Sequence, residues 1–418
     1  MLVWLITVGE PLPSDRSDER PLRTGLLASS LVSQGHEVVW WASTFDHNHK
    51  QRRFVGNTTI RVADRLTLEL LDGREYRRNI SLARLGNHRD VAGNFLVEAV
   101  QRPRPDIILC SLPTIELTLA TEKFAHGRAI PVLYDLRDLH PDVYLQIVPL
   151  PFRRLVRFGL WPVYRRLRRA LKSATGLIGI TPSFLRWGLE RAGRDQSSND
   201  AVFGFGYPDL KTSEAEEETA AKRLLPMGVD PNKRIVWFVG TYNRWIALNP
   251  AIDVAKTLHE EGVHRFQFVF SGRGDHAAEW QDRAAGLANV VFTGWVTAPE
   301  ISWMRHRSWA GLAAYRLGFN GVGNKIIEYM AGGVPVLLGM GEDSARMLSE
   351  LGCGEAYDPR RSLELREIIE RWARDDGLHS RLKVNARRAY EERFSASRVY
   401  GAYADHLASV LRRSRGAA

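Results

Sequence analysis

Short apolar runs that stop at a glycine or small polar residue, each followed by a helical stretch, recur along this chain. That alternation is what most limits its fold. Leu2 to Val8, Glu37 to Trp41, Asp106 to Cys110, Ile130 to Tyr134 and Gly176 to Ile180 read as strands. Helices are predicted over about Pro21 to Gln34, Thr114 to Phe124 and Pro182 to Ala192. Strand–helix–strand units of this kind build a parallel sheet covered by helices. The grammar starts afresh at Ile235 to Val239 and runs through Phe266 to Phe270, Val290 to Thr293, Ala310 to Ala314 and Val334 to Leu338. Between the halves, Gly204 to Asp230 combines Gly204, Gly206 and Pro208 with the acidic run Ser213 to Glu218 and reads as a linker. A chain of 418 residues has core enough for two such α/β domains. They are expected over 1–205 and 206–394, with a helical tail over 395–418.

Several function classes are disfavoured at once. Hydrophobic content of 44% and charged content of 25% fit a soluble globular protein. Met1 to Val8 is too short for a membrane span, which needs roughly 20 apolar residues. Cys110 and Cys353 sit among apolar neighbours without metal-ligand spacing, so buried thiols in a reducing cytoplasm are expected. The loop after the first strand is not G-x-G-x-x-G, which counts against a dehydrogenase.

The most chemically suggestive stretch is Phe319 to Leu338: glycine loop, helix, Gly332-Gly333 stop, buried strand. Gly321 and Gly323 let the backbone approach a ligand, and a helix N-terminus behind them suits a phosphate. Asn324 opens that helix, Lys325 adds a cation in its first turn, and Glu328 lies one turn further along the same face. The same pair also reads as an ordinary surface ion pair.

The run Lys325-x-x-Glu328-Tyr329-Met330-Ala331-x-Gly333-x-Pro335-Val336 resembles the donor-binding signature of retaining family-4 glycosyltransferases. The resemblance implies the GT-B fold: two Rossmann-like parallel-sheet domains facing a cleft, with the C-terminal helix packing back on the first. It further implies a nucleotide-sugar donor, a UDP-sugar above all, and a second domain that binds it. Glu328 would hold the ribose. The first carboxylate of the family's Glu-x7-Glu pair falls on Asn320, an amide, so that charge is missing. Gly240 and Thr241 match the phosphate turn, Arg244 the basic residue against the diphosphate, and Gly272 and Gly274 the next landmark. Phe292 to Val296 follows, with backbone near Val296 against the base. In the first domain Arg20-x-x-Arg23, Gln34 to Val38 and Asp135 to Asp142 are similar to the branch containing O-antigen N-acetylfucosaminyltransferases. Asp138, Arg137, His140 and Asn320 are the candidate catalytic residues, and Arg23 and His47 the candidate acceptor-binding ones. A loop Asp such as Asp138 equally serves to turn the backbone. No Asp-x-Asp lies in a suitable loop and Asp253, Asp275 and Asp282 are scattered, so neither metal nor other cofactor is expected. Sugar-nucleotide epimerases of similar fold and a non-catalytic sugar-nucleotide-binding partner are the competing readings.

Between Asp142 and Glu190 there is no acidic residue, while Arg153, Arg154, Arg157, Arg165, Arg166, Arg168, Arg169, Lys172 and Arg186 nearly match the chain's net charge of +10. Phe152, Phe158 and Trp161 are interleaved. Cations mixed with bulky apolar groups predict an interfacial segment on an anionic membrane. That suits a polyprenyl-diphosphate-linked glycan acceptor and a cytoplasmic enzyme held at the inner face of the plasma membrane, in surface-glycan synthesis. No nucleic-acid motif accompanies the patch, and a solvated helix face remains the plainer alternative.

Overall fold

The strand-then-helix alternation is realised twice. The computed structural model describes all residues except 16–19, 79–80, 147, 210–211, 318–321, 340 and 417–418. It divides into two units, Met1–Gly204 with Val399–Ala418, and Phe205–Arg398.

The first unit holds an eight-stranded sheet. Edge to edge its strands are Ala201–Val202, Gly176–Gly179, Val132–Leu136, Ile107–Leu112, Leu2–Ile6, Glu37–Ser43, Leu66–Leu71 and Thr58–Ala63. The sheet is parallel except for Thr58–Ala63, which runs antiparallel to Leu66–Leu71. The parallel sheet is as expected, and this largely exposed edge strand adds to it by folding back through a short hairpin, which no parallel pair can do. The central strands are buried and packed by an aromatic group: Trp4 lies 4.8 Å from Trp41 and stacks on Phe124 at 5.3 Å. In the C-terminal helix Ala396–Gly416, Tyr403 and Leu407 are buried in this unit, and Tyr403 stacks on Phe203 at 4.5 Å.

The second unit has a six-stranded, fully parallel sheet. Its order is Val290–Gly294, Phe266–Ser271, Arg234–Val239, Ser308–Ala313, Val336–Gly339 and Gly354–Tyr357. Numbered along the unit that is 3-2-1-4-5-6. The order reverses beside Arg234–Val239, so a crevice opens at the carboxyl ends of that strand and Ser308–Ala313. The acidic run expected in a linker is instead a helix, Glu214–Leu224. Ser213 caps it, its hydroxyl and backbone exchanging hydrogen bonds with Glu216, and the carboxylates of the first turn favour the positive helix end.

Candidate functional site

The crevice of the second sheet is built by residues from four places in the chain. Strand Arg234–Val239 ends in Gly240, whose φ of +141° suits glycine; a Cβ there would come within 3.1 Å of Lys325 Nζ. Gly272 and Gly274 pack directly on the backbone of Gly240 and Tyr242, so at these two positions glycine closes the loop layer. Thr241 and Arg244 are exposed, and the Arg244 guanidinium lies 4.9 Å from the ring centre of its neighbour Trp245. The Val296 side chain is buried, which leaves its backbone as the part able to meet a ligand.

Helix Asn324–Ala331 starts at Gly323, which offers no side-chain cap. A Cβ on Gly323 would overlap the Tyr315 hydroxyl. Asn324 is exposed. Asn320 and Gly321, two of the candidate donor-side residues, lie outside the described residues. Lys325 points its ammonium into an aromatic corner, 4.1 Å from the Phe238 ring centre and 5.0 Å from that of Tyr315. Among the described residues it forms no ion pair. Burial lowers its pKa to about 7, and the charge of Glu328 only partly opposes this. The Glu328 carboxylate is itself buried and accepts a hydrogen bond from the Tyr207 hydroxyl at 3.0 Å. Tyr207 is fixed in turn by the Tyr390 hydroxyl, which donates to its carbonyl at 3.0 Å. Motif reading had no signal for Phe238, Tyr315 or Tyr207. Their spacing from Lys325 and Glu328 follows no local period.

In the first unit the candidate residues separate. Arg23 is buried and clasps Asp135 with two hydrogen bonds of 2.9 Å, while its third nitrogen donates to the Gly204 carbonyl at 2.7 Å. Arg137 donates to Asp135 at 2.7 Å and pairs with Glu10. Burial alone would push the Asp135 pKa up; Arg23 and Arg137 outweigh it and hold the carboxyl below its ordinary value. Acceptor binding by Arg23 and a part in the chemistry for Arg137 stay expectations, with both guanidiniums already paired to carboxylates. Both guanidiniums neutralise the buried Asp135 carboxylate at the end of strand Val132–Leu136. Asp138 is about half exposed; one oxygen accepts from the Leu139 N–H at 3.0 Å and the other lies 3.2 Å from His140 Nε2. His140 is buried against Tyr144, ring centres 5.0 Å apart. His47 Nδ1 contacts the Tyr76 hydroxyl at 2.6 Å.

The basic stretch forms helices Arg153–Gly159 and Trp161–Ser173. Leu167, Ala170 and Leu171 anchor the second in the core. Large apolar groups are nevertheless left in solvent: Phe158 is 81% exposed, Leu155 70%, and Phe152 and Trp161 58% each. Arg169 pairs with Glu122 at 3.0 Å, and the Arg165 guanidinium lies 5.7 Å from the Trp161 ring centre. Arg154, Arg157, Arg166 and Lys172 are exposed on the same helices. Among the described residues no helix is long and apolar enough to cross a membrane, and no group of three or more His, Cys, Asp or Glu could hold a metal ion. Both cysteines are buried and free.

Residues 233–373, most of the second unit, match the family described as glycosyl transferases group 1. No curated protein sequence matches the chain. Among solved structures the whole chain is similar to sucrose-phosphate synthase from Thermosynechococcus elongatus, with 15% identity, TM-score 0.73 and full coverage of both chains. It is also similar to HepE of Anabaena solved in complex with UDP-glucose, with 16% identity, TM-score 0.65, and 98% of this chain and 100% of that one covered. A third likeness is to WaaG, a glycosyltransferase involved in lipopolysaccharide biosynthesis, with 15% identity, TM-score 0.66, and 97% and 99% covered. At these identities the likeness fixes the fold: two parallel-sheet α/β domains of the GT-B glycosyltransferase type, the second carrying a group 1 glycosyl transferase domain.

Proposed function

We propose that this protein is a retaining glycosyltransferase that moves a sugar from a UDP-sugar to a lipid-linked or polysaccharide acceptor. One observation carries the reading. An ammonium without an ion pair among the described residues stands at the switch-point crevice of a 3-2-1-4-5-6 sheet, with a positioned carboxylate one helical turn away. The cation and helix end suit a diphosphate, and Glu328 suits a ribose diol. UDP-glucose bound to HepE is support by likeness for the donor class.

Transfer breaks the bond between the anomeric carbon and the diphosphate and forms one to the acceptor hydroxyl oxygen. Charge grows on the leaving diphosphate, where Lys325, the helix N-terminus and Arg244 stabilise it without a metal. Retention follows from front-face attack within an ion pair, the hydroxyl proton passing to the leaving phosphate. Asp138 and His140, whose carboxylate and ring nitrogen lie 3.2 Å apart, are the first-unit groups assigned to the acceptor side. The exposed Phe152, Leu155, Phe158 and Trp161 among cations are the reason to place the acceptor at an anionic membrane surface. The function is bacterial surface-glycan synthesis.

Incubation with labelled UDP-sugars and a polyprenyl-diphosphate glycan tests the reading. Label moving to the lipid is expected. Interconversion of the sugar nucleotide would make the protein an epimerase, and binding without turnover a non-catalytic partner.

A further inference from the structure

Helix Glu214–Leu224, which carries the acidic run, holds near its end a residue that the transfer chemistry does not use. Arg223 Nη2 donates to the Thr293 carbonyl at 3.0 Å and to the Trp295 carbonyl at 3.0 Å, one hydrogen for each. Its Nη1 lies 2.7 Å from one oxygen of the Glu300 carboxylate. Glu300 is buried, and its other oxygen accepts from the Thr297 N–H at 2.7 Å. The carbonyl between the two that Arg223 holds, that of Gly294, accepts from the Gly272 N–H at 2.8 Å. One guanidinium thus ties down the turn from Thr293 to Thr297, where strand Val290–Gly294 passes into helix Ala298–Arg307.

The consequence falls on Val296. A trans peptide is planar, and its C=O and N–H point opposite ways. The Trp295 carbonyl shares a peptide with the Val296 N–H, and the Val296 carbonyl shares one with the Thr297 N–H. Arg223 takes the Trp295 carbonyl and Glu300 takes the Thr297 N–H, so this pair orients both peptides. The Val296 N–H points away from Arg223, and the Val296 carbonyl away from Glu300. One residue, its own side chain buried, therefore presents a donor and an acceptor in fixed directions. The turn stands two strands from Gly240, about 10 Å along the sheet. A ligand with its diphosphate at Lys325 extends its far end towards it.

We propose that Arg223 is a positioning residue for the nucleobase: through Trp295 and Glu300 it aims the Val296 N–H and carbonyl at the hydrogen-bonding edge of the base. Uracil offers a carbonyl beside a ring N–H, an acceptor next to a donor, and pairs with that residue. Cytosine has the two inverted and does not. The inference rests on the UDP-sugar reading above.

Calorimetry of the full chain with UDP, CDP and inorganic pyrophosphate tests this. Wild type is expected to favour UDP over CDP by about tenfold or more. In Arg223→Met that ratio is expected to fall about fivefold or more, while pyrophosphate binds as before. Arg223→Lys keeps a charge for Glu300 but cannot span both carbonyls, and is expected to lose the ratio too. Glu217→Gln is the control. It loosens the same two helices, where Glu217 faces His306 at 3.4 Å and Arg307 at 3.6 Å, without touching the turn, and should keep the ratio. A wild-type ratio in folded Arg223→Met and Arg223→Lys overturns the inference. So does an equal loss in Glu217→Gln, which makes Arg223 a packing residue, and so does a wild type that binds UDP no better than CDP. UDP bound with the expected pattern but never turned over keeps the inference and removes the transfer reading; sugar transfer from a UDP-sugar with a ratio indifferent to Arg223 does the reverse.

Discussion

Raising the pH through neutrality should weaken nucleotide binding, and Lys325 sets the size of the effect. Its ammonium is enclosed by Phe238, Tyr315 and the Gly240 backbone, and burial brings its pKa to about 7. A diphosphate beside it favours the charged form, so binding raises that pKa. Below about pH 7 the free protein already carries the proton, and affinity is insensitive to this group. Above it, each pH unit requires one more decade of proton uptake, so affinity for UDP should fall about tenfold per unit, or ~1.4 kcal/mol. The fall stops where the bound-state pKa is reached. Calorimetry at pH 6.5 to 9, in two buffers of different ionisation enthalpy, reads both affinity and protons; uptake close to one proton is expected near pH 8.5. Lys325→Met should bind UDP more weakly at pH 6.5 by about 1.5–3 kcal/mol, the loss of a charge-assisted contact, and with a flatter pH profile. The same depressed pKa has a stability sign. The unfolded chain holds the Lys325 proton up to the ordinary lysine range while the folded one releases it near 7. Stability from this group therefore rises with pH between those values, and its cost is fully present below 7. Lys325→Met should accordingly raise Tm at pH 6. Wild-type affinity that stays flat from pH 7 to 9 without proton uptake would refute the placement of Lys325 against the diphosphate.

Glu328→Gln should cost UDP about 1.5–3 kcal/mol yet bind 2′,3′-dideoxy-UDP as wild type does, since the carboxylate's proposed partner is the diol; equal losses for both ligands would move Glu328 out of the ribose site. Arg23→Met should destabilise the fold by about 3 kcal/mol in urea melts, because it strips the buried Asp135 of one of two cations. An unchanged midpoint would show that Arg137 alone satisfies Asp135. Transfer activity is expected to survive EDTA, and loss restored by magnesium or manganese would contradict metal-free stabilisation of the diphosphate. Co-sedimentation with anionic liposomes should fall with salt and with Phe158→Ser/Trp161→Ser, each lipid-facing cation contributing about 1 kcal/mol; indifference to anionic lipid would make the basic helices a solvated face.

What could be read in the sequence was what repeats locally. Apolar runs stopped by glycine located both sheets, and the glycine–helix–glycine–strand punctuation located Asn324–Ala331 and Val336–Gly339. The hairpin Thr58–Ala63 with Leu66–Leu71 left less of a trace, since its outer strand is mostly exposed and carries no continuous apolar run. The acidic run 213–218 looked like linker composition because a capped, solvent-facing helix start has the same residues as a polar loop. Tyr207 is 121 residues from the carboxylate it positions, beyond any periodic signal.

Arg23 and Lys325 show where such reading stops. Each is a cation in the first turn of a helix that follows a strand of an α/β sheet. By residue type and position alone both are candidates for an anionic ligand. Their fates differ through partners supplied from afar. Asp135, 112 residues away, closes on Arg23 with two hydrogen bonds inside the first unit. Lys325 receives instead two aromatic rings, which strip its ammonium of water without supplying a countercharge. A guanidinium already matched to a carboxylate gains little from a phosphate, because the carboxylate must first be displaced and left buried. A desolvated ammonium with only a weak opposing carboxylate gains a great deal. The site therefore lies where the fold has left a cation's charge uncompensated, and that deficit is a property of the tertiary structure.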